Sequence, residues 1–369
     1  MRKPYSWCLM TPTRTLVLAS VAAVIATPFH PLFAADSTLD TLADAYRVKL
    51  GPTAGNLPYF VAQPQIITPD SALIVLHGHP RDAGKTLAAA VKAAQLAGKT
   101  GQALLVAPLF PVSNAQSTRC HSPGVPQAQA GDALWSCSSW IEGGLDNQGR
   151  TSSFAALDRL VAELKVKWPQ IRWVTVAGFS AGAQFVQHYV GFANPPPGVK
   201  LRFVISDPGS WLYFDSHRPR PIKNERPVDW RDCDSTGGCT FDWVEVNSDA
   251  CPSVNRWKYG IEAIPSYLDQ QTESIRQRYA TANITYMVGA KDSGDAPGSF
   301  YKILDKSCAA QAQGPDRLQR GIAYAAYDRR FIAPRAKRYL AIVPDCAHDV
   351  SCVFPSPIGR QVLFNKNAD

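Results

Sequence analysis

The segment WVTVAGFSAGAQFVQHYV, residues 173 to 190, joins an apolar run to a run compatible with a helix at a single serine, Ser180. The serine lies in a G-x-S-x-G motif. Only three of the five positions in this motif are fixed, so chance matches are common. The surrounding sequence must show whether the serine is a nucleophile. When a strand precedes such a motif and a helix follows it, the chain makes a sharp turn that exposes the serine hydroxyl. This context is the one found here, and it makes Ser180 a candidate nucleophile.

The remaining sequence alternates short apolar runs with helical patterns. Continuous apolar runs of this length, without polar alternation, are typical of strands buried on both faces. Strands alternating with helices predict a mostly parallel sheet flanked by helices, the α/β class. The predicted strands are LPYFVAQPQIITP (57–69), SALIVLHG (71–78), ALLVAPLF (103–110), IRWVTVAGF (171–179), LRFVIS (201–206), ITYMVG (284–289) and YLAIVPD (339–345), and the main predicted helices cover 86–101, 152–168 and 181–192.

Residues 207–275 interrupt this alternation. They are rich in proline, cysteine, aspartate and aromatic residues and show no clear strand pattern. We expect a disulfide-rich, lid-like insertion that lies over the carboxyl ends of the strands, where ligands bind in open α/β sheets.

The amino terminus has the pattern of a secretory signal peptide. Three basic residues precede or border the apolar run LVLASVAAVIA, residues 16 to 26, which is too short to span a bilayer. We therefore expect residues 1–35 to be removed and residues 36–369 to form the mature domain, secreted or periplasmic and without a membrane anchor. Oligomeric state is not readable from the sequence.

Removal of the signal lowers the net charge from +8 to +5, a weak argument for nucleic-acid binding. The basic residues are scattered, apart from RPRPIKNERP, residues 218 to 227, which we interpret as a solvated loop. No nucleic-acid partner is expected.

Cysteine usage supports export. The sequence holds nine cysteines, and loss of Cys8 with the signal leaves an even number, which suggests four disulfides. Short separations favour Cys233–Cys239 and Cys346–Cys352, and the pairs Cys120–Cys137 and Cys251–Cys308 would complete the set. No spacing typical of a zinc site occurs, so no metal is expected.

A serine hydroxyl needs a base within hydrogen-bond reach and an acid that orients the base. In this architecture the order along the chain is serine, acid, histidine. His348 follows the last predicted strand and is the histidine that comes late enough. His188 lies on the helix after Ser180 and is expected to point away. The acid should follow a strand between Ser180 and His348: Asp292 is favoured, and Asp207 and Asp295 remain alternatives.

An oxyanion also needs two N–H donors. One is expected from Ala181, directly after the serine, and the other from the turn after an early strand. In LIVLHGHPRDA that donor is the amide of His79, whose side chain is not required.

With these blocks in order, the sequence resembles the α/β-hydrolase superfamily of serine esterases. HGHPRDA, GFSAGAQFVQHY, CPSVNRWKYGI and VPDCAHD resemble blocks of secreted bacterial and fungal members described as esterases, lipases or polyester depolymerases. The resemblance implies an α/β-hydrolase fold for residues 36–369, a triad of Ser180, Asp292 and His348, and no metal or organic cofactor. Ala183, where glycine is frequent, and His79, where a small residue is frequent, depart from the pattern.

The substrate expected is a small or polymeric carboxylic ester. Aromatic residues in and near the insertion suggest an apolar acyl site, with Trp140, Trp211 and Tyr213 as candidate contacts, although such rings can equally form the insertion's own core. An amidase or acyl-peptidase on the same triad, and a polyester depolymerase, are alternatives. A non-catalytic binding protein is disfavoured because both the serine and the histidine are present.

Overall fold

A computed structural model describes residues 39–63, 68–233, 239–268 and 271–364. All of them belong to one compact unit, Asp36–Asp369. The predicted signal peptide, residues 1–35, lies outside the described residues. Within the described ranges, no helix combines the length and the apolarity needed to cross a bilayer.

The centre of the molecule is an eight-stranded sheet. Its strands are β1 (Ala43–Lys49), β2 (Asn56–Ala62), β3 (Ser71–Leu76), β4 (Leu104–Pro108), β5 (Trp173–Phe179), β6 (Lys200–Ser206), β10 (Asn283–Gly289) and β11 (Leu340–Val343). They lie in the order β1-β2-β4-β3-β5-β6-β10-β11. The pairs β1–β2 and β2–β4 are antiparallel, and the other pairs are parallel, which confirms the predicted mostly parallel sheet. The sequence patterns missed β1, which is an edge strand with alternating burial.

Helices cover both faces of this sheet. The described α-helices are α1 (Leu39–Leu42), α2 (Ala83–Leu96), α3 (Asn114–Ser117), α4 (Ser153–Lys167), α5 (Ala181–Tyr189), α6 (Thr272–Thr281), α7 (Cys308–Gln311), α8 (Arg317–Tyr327), α9 (Val350–Val353) and α10 (Pro357–Phe364). The Ser152 side chain caps α4 by accepting a hydrogen bond from the Ala155 amide. The sequence patterns missed α8.

The two faces of β3 show how the layers are held. Alternate side chains of a strand point to opposite faces. Leu73 and Val75 pack in the core that contains α2, α9 and α10. Ile74 and Leu76 pack in the core that contains α4 and α5. A strand buried on both faces has no polar positions, which is why SALIVL shows no alternation.

Residues 207–271 lie between β6 and α6, which begins at Thr272 inside the predicted insertion 207–275. It contains a second, antiparallel sheet that the sequence did not reveal. Its strands are β7 (His217–Lys223), β8 (Arg226–Pro227) and β9 (Thr240–Glu245), in the order β8-β7-β9. The predicted solvated loop at 218–227 is therefore wrong: most of it forms β7 and β8, and the Arg218 side chain is buried.

The insertion packs on α5 and α8. Gln187 of α5 exchanges two hydrogen bonds with the backbone of Leu212. His188 of the same helix contacts the carbonyl of Lys258 at 2.8 Å. Gln319 of α8 donates to the carbonyl of Cys233. These contacts fix the insertion to the body of the fold beside the helix that begins after Ser180.

Four disulfides form: the two pairs that short separations favoured, and the two pairs expected to complete the set. Three of them lie in or next to loops, and the fourth joins the insertion to α7. The pairs are Cys120–Cys137, Cys233–Cys239, Cys251–Cys308 and Cys346–Cys352.

Candidate active site

Ser180 stands at the sharp turn between β5 and α5. Its backbone has φ 58° and ψ −120°, a conformation that few non-glycine residues adopt. The turn is too tight for side chains on either side. A Cβ atom at Gly178 would lie 2.1 Å from the carbonyl oxygen of Gly182, and one at Gly182 would lie 2.5 Å from the carbonyl oxygen of Leu76. Both glycines of the motif are therefore required by close backbone approach.

Ser180, His348 and Asp292 form a continuous hydrogen-bonded chain. His348 Nε2 lies 2.8 Å from Ser180 Oγ. His348 Nδ1 lies 2.6 Å from Asp292 Oδ2. The structure thus joins the three residues that the sequence favoured, whereas Asp295 is exposed in the loop beyond Asp292. An imidazole held between a hydroxyl and a carboxylate can remove the hydroxyl proton.

A disulfide, a backbone hydrogen bond and a ring contact hold the loop that carries His348 in place. The Cys346–Cys352 disulfide closes it. The His348 amide donates to the carbonyl of Gly298 at 3.1 Å. The ring also packs on Phe179, the residue before the serine, with centroids 4.8 Å apart. These contacts leave the imidazole little freedom to leave Ser180.

Burial sets the protonation states of His348 and Asp292. It lowers the pKa of His348, and the positive charge of Arg317 lowers it further. Burial raises the pKa of Asp292 to about 6, and the charge of Arg317 opposes that rise. At neutral pH the imidazole is therefore neutral and Asp292 is ionised, the protonation states that a general base and its orienting acid need.

Arg317 is a site residue that the sequence did not indicate. Its Nη1 donates to Asp292 Oδ1 at 3.2 Å and to the carbonyl of Ser299 at 2.6 Å. The residue is 5% exposed and begins α8, behind the acid. Since α8 itself was not predicted, no sequence signal placed an arginine here.

A second carboxyl lies beside Asp292. Asp207, the other predicted alternative, is fully buried at the end of β6. One ligand-type atom from each of Asp207, Asp292 and His348 lies within 4.8 Å of the other two, the single such grouping among the residues described. Asp292 already contacts Arg317 through Oδ1 and His348 through Oδ2, and we interpret the grouping as a hydrogen-bonded network of side chains.

The turn after β3 approaches the serine, as predicted. A Cβ atom at Gly78 would lie 3.7 Å from Ser180 Cβ. The neighbouring His77 is buried and fixes this turn: its Nδ1 lies 2.8 Å from the Gly78 carbonyl, and its Nε2 accepts from the Phe110 amide at 3.4 Å. His79 follows directly after Gly78.

The three aromatic residues predicted as candidate substrate contacts are buried. Trp140, Trp211 and Tyr213 are 0, 1 and 0% exposed, so none of them presents an open ring face to solvent. Trp140 packs on His77 with centroids 4.7 Å apart and thus supports the turn after β3 from behind. Trp211 stacks on Tyr324 of α8 at 4.4 Å, and Tyr213 packs on the same ring.

Phe300 is an exposed aromatic residue at the site that sequence reasoning missed. Its ring centroid lies 6.3 Å from that of His348, and the residue is 58% exposed. Its φ of 49° is left-handed, uncommon for a bulky side chain. Ile303, in the turn that follows, is 76% exposed. No local pattern distinguishes these two residues from other loop apolars.

His188 behaves as predicted and does not reach Ser180. Its ring is fully buried between two backbone carbonyls, those of Gln184 at 2.6 Å and Lys258 at 2.8 Å. Its role is to join α5 to the insertion.

Two solved hydrolase structures share the α/β-hydrolase fold of this chain. The chain is similar to the poly(3-hydroxybutyrate) depolymerase LpqC of Bordetella parapertussis, with 17% identity and TM-score 0.54, over 84% of this chain and 86% of that one. It is also similar to poly(aspartic acid) hydrolase-1 of Sphingomonas sp. KT-1, with 18% identity and TM-score 0.57, over 88% and 98%. At these identities the likeness establishes the fold. No protein-family model and no curated protein matches the chain.

Proposed function

We propose that the protein is a carboxylic-ester hydrolase that works through an acyl-enzyme on Ser180. The observation that carries this proposal is the hydrogen-bonded chain from Ser180 through His348 to Asp292, built on a strained strand-to-helix turn. The fold supports the same conclusion, since this turn is where α/β hydrolases hold their nucleophile.

The reaction has two halves. His348 Nε2 takes the Ser180 proton while Oγ attacks the ester carbonyl, and Asp292 stabilises the imidazolium that forms. The imidazolium then protonates the leaving alkoxide as the carbon–oxygen bond breaks, which leaves the acyl group on Ser180. Water, deprotonated by the same imidazole, hydrolyses the acyl-enzyme and restores the serine.

The oxyanion formed in each half needs two donors. We assign them to the amides of Ala181 and His79. Ala181 is the first residue of α5, so its N–H has no partner within the helix. The close approach of Gly78 to Ser180 supports the His79 amide as the second donor. Donors of this kind contribute roughly 3 kcal/mol each to transition-state stabilisation.

Export belongs to the same proposal. Four disulfides are typical of proteins that fold in an oxidising compartment, and they support a secreted or periplasmic location. The apolar amino-terminal run favours the same location.

Paired substrates test the reaction class. The mature chain should hydrolyse p-nitrophenyl butyrate and should be far slower on the matching anilide, p-nitrobutyranilide. Equal or faster release from the anilide would favour the amidase alternative. Failure on both, by a folded chain, would contradict the hydrolase proposal.

A polyester depolymerase is a second candidate, supported by the exposed apolar pair at the site. The Phe300 ring lies 6.3 Å from that of His348, and the exposed Ile303 ends the turn that follows Phe300. We place the chain flanking a scissile ester along this turn. The structural likeness to a poly(3-hydroxybutyrate) depolymerase points in the same direction. An open apolar surface at the catalytic serine suits a chain too long for an enclosed pocket.

Two substitutions of equal exposure test this candidate. Ile303→Ser is expected to slow degradation of a polyester film several-fold while leaving p-nitrophenyl butyrate hydrolysis unchanged. Val166→Ser, on α4 and likewise 76% exposed, is the matched control and should change neither rate. Equal film degradation by the two variants would contradict a polymer-binding role for this turn.

A further inference from the structure

Asp207 is a buried carboxyl at the candidate active site to which the mechanism gives no task. It follows β6, its side chain is 0% exposed, and its own φ of 55° is left-handed. Aspartate and asparagine tolerate that region better than most residues. The site therefore holds a second acid in a position that the fold fixes closely.

Several contacts set the orientation of this carboxyl. Oδ1 accepts a hydrogen bond from the Gly289 amide at 2.8 Å. Oδ2 accepts one from the Ser206 hydroxyl at 2.7 Å. The Asp207 amide itself donates to the carbonyl of Met287 at 3.0 Å. Gly289 and Met287 belong to β10, the strand that leads to Asp292, so the two acids are held on neighbouring strands.

Among the described residues, the groups that face Asp207 do not carry enough positive charge to stabilise both Asp207 and Asp292 in the ionised form. Asp292 lies beside it, within reach of a side-chain hydrogen bond, and His348 lies across from it. The guanidinium that reaches this pair, that of Arg317, binds Asp292. Two adjacent buried carboxyls with one cation and a neutral imidazole are most stable when one of them keeps its proton. Burial, followed by the charge of Asp292, raises the pKa of Asp207 to about 7.

We propose that Asp207 is a positioning residue that carries a proton and donates it in a hydrogen bond to the Asp292 carboxylate, and that it can ionise and take over from Asp292 when that carboxylate is lost. The inference rests on the proposed function, because both roles act through His348. No covalent step is added: the proton stays between the two acids while His348 exchanges a proton with substrate.

Asparagine substitutions separate the two roles. Asp207→Asn keeps an N–H donor toward Asp292 and tolerates the left-handed backbone, so kcat on p-nitrophenyl butyrate at pH 7 should stay within about threefold of the parent. An asparagine side chain cannot ionise. If ionisation of Asp207 makes kcat depend on pH between pH 6 and 8, that dependence should be absent in this variant.

The decisive comparison is made in chains that lack the Asp292 carboxylate. Asp292→Asn should retain activity that rises with pH as Asp207 ionises, and the double variant D207N/D292N should be at least tenfold slower and lack that rise. Equal residual activity in the two chains would overturn the takeover. A loss in Asp207→Asn as large as that in Asp292→Asn would overturn the donor role.

Two controls keep these outcomes interpretable. Thermal melting of each variant shows whether a loss of rate reflects a loss of folded protein. Ser180→Ala, measured in parallel, tests the proposed function separately: if that variant stays active, the hydrolase mechanism fails, whereas a failure confined to the Asp207 comparisons leaves the mechanism intact.

Discussion

His348 Nε2 lies 2.8 Å from Ser180 Oγ, although the two residues are 168 positions apart in the chain. They meet because β5 and β11 end at the same edge of the sheet, with β6 and β10 between them. The carboxyl ends of parallel strands form one edge, and loops at that edge carry the active residues of open α/β sheets. The position of His348 is therefore a property of the topology as well as of its own loop.

Two of the buried histidines, His348 and His188, provide a matched pair. His348→Asn removes the proposed base, and kcat is expected to fall about 10⁴-fold or more. His188→Asn removes a buried ring that contacts two carbonyls, so it should lower the melting temperature and leave kcat within a few-fold. Steady-state rates and thermal melts of both variants check this. A similar loss of kcat in the two variants would contradict the assignment.

Arg317 should control the acid limb of the pH profile. Its charge opposes the upward shift that burial imposes on the pKa of Asp292, so Arg317→Gln should raise that pKa above its present value of about 6. A higher pKa means that Asp292 is protonated at higher pH. The fall in kcat/KM on acidification should therefore begin at higher pH in the variant.

Arg338→Gln is the control for this experiment. The Arg338–Asp328 pair has the same side-chain exposure as the Arg317–Asp292 pair, 5% and 1%, but contacts neither Ser180 nor His348. Breaking either pair should cost about 3–5 kcal/mol of stability. Only Arg317→Gln should move the pH profile, and equal profiles would contradict the role given to Arg317.

Two disulfides with equal sequence separation allow a similar comparison. Cys346–Cys352 and Cys233–Cys239 each join residues six positions apart. Removing either pair should cost about 2 kcal/mol in the chain-entropy model. Loss of Cys346–Cys352 should also lower kcat, because it frees the loop that holds His348. Activity and melting temperature of the two double-alanine variants test this, and unchanged kcat in both would show that the loop does not need its bridge.

Replacing a glycine by alanine should have opposite effects on stability in α5 and in α8. Gly182→Ala in α5 places a Cβ atom 2.5 Å from the Leu76 carbonyl oxygen and should cost about 3 kcal/mol. Gly321→Ala in α8 meets its nearest atom at 3.8 Å, and the better helix propensity of alanine should stabilise the chain by up to ~1 kcal/mol. Chemical denaturation measures both values, and destabilisation by Gly321→Ala alone would contradict the packing described.

How much of this could be read from the sequence depends on the range of the interactions. The turn at Ser180 is local, chain order placed His348, and the position after a predicted strand favoured Asp292 while leaving Asp207 and Asp295 as alternatives. The sequence could not show that Trp211 and Tyr213 are buried, because aromatic residues occur both in small cores and at apolar sites, and only the packing against α8 reveals the burial. Arg317 and Phe300 were missed because their roles depend entirely on tertiary contacts.

The same reasoning explains the insertion. β7 carries prolines and charged residues, Arg218 among them, and a strand of this composition has no clear period. Burial of Arg218 is possible because the Asp215 carbonyl and other backbone oxygens accept its N–H groups. Such a network of partners cannot be inferred from the spacing of residues along the chain.

Hydrolysis of p-nitrophenyl butyrate by Ser180→Ala tests the central claim most directly. The alanine variant removes Oγ and leaves the rest of the site in place, so it should melt close to the parent temperature. Its kcat should fall to the background rate, about 10⁴-fold or more below the parent. A folded Ser180→Ala protein that retains hydrolysis within about tenfold of the parent would contradict the account.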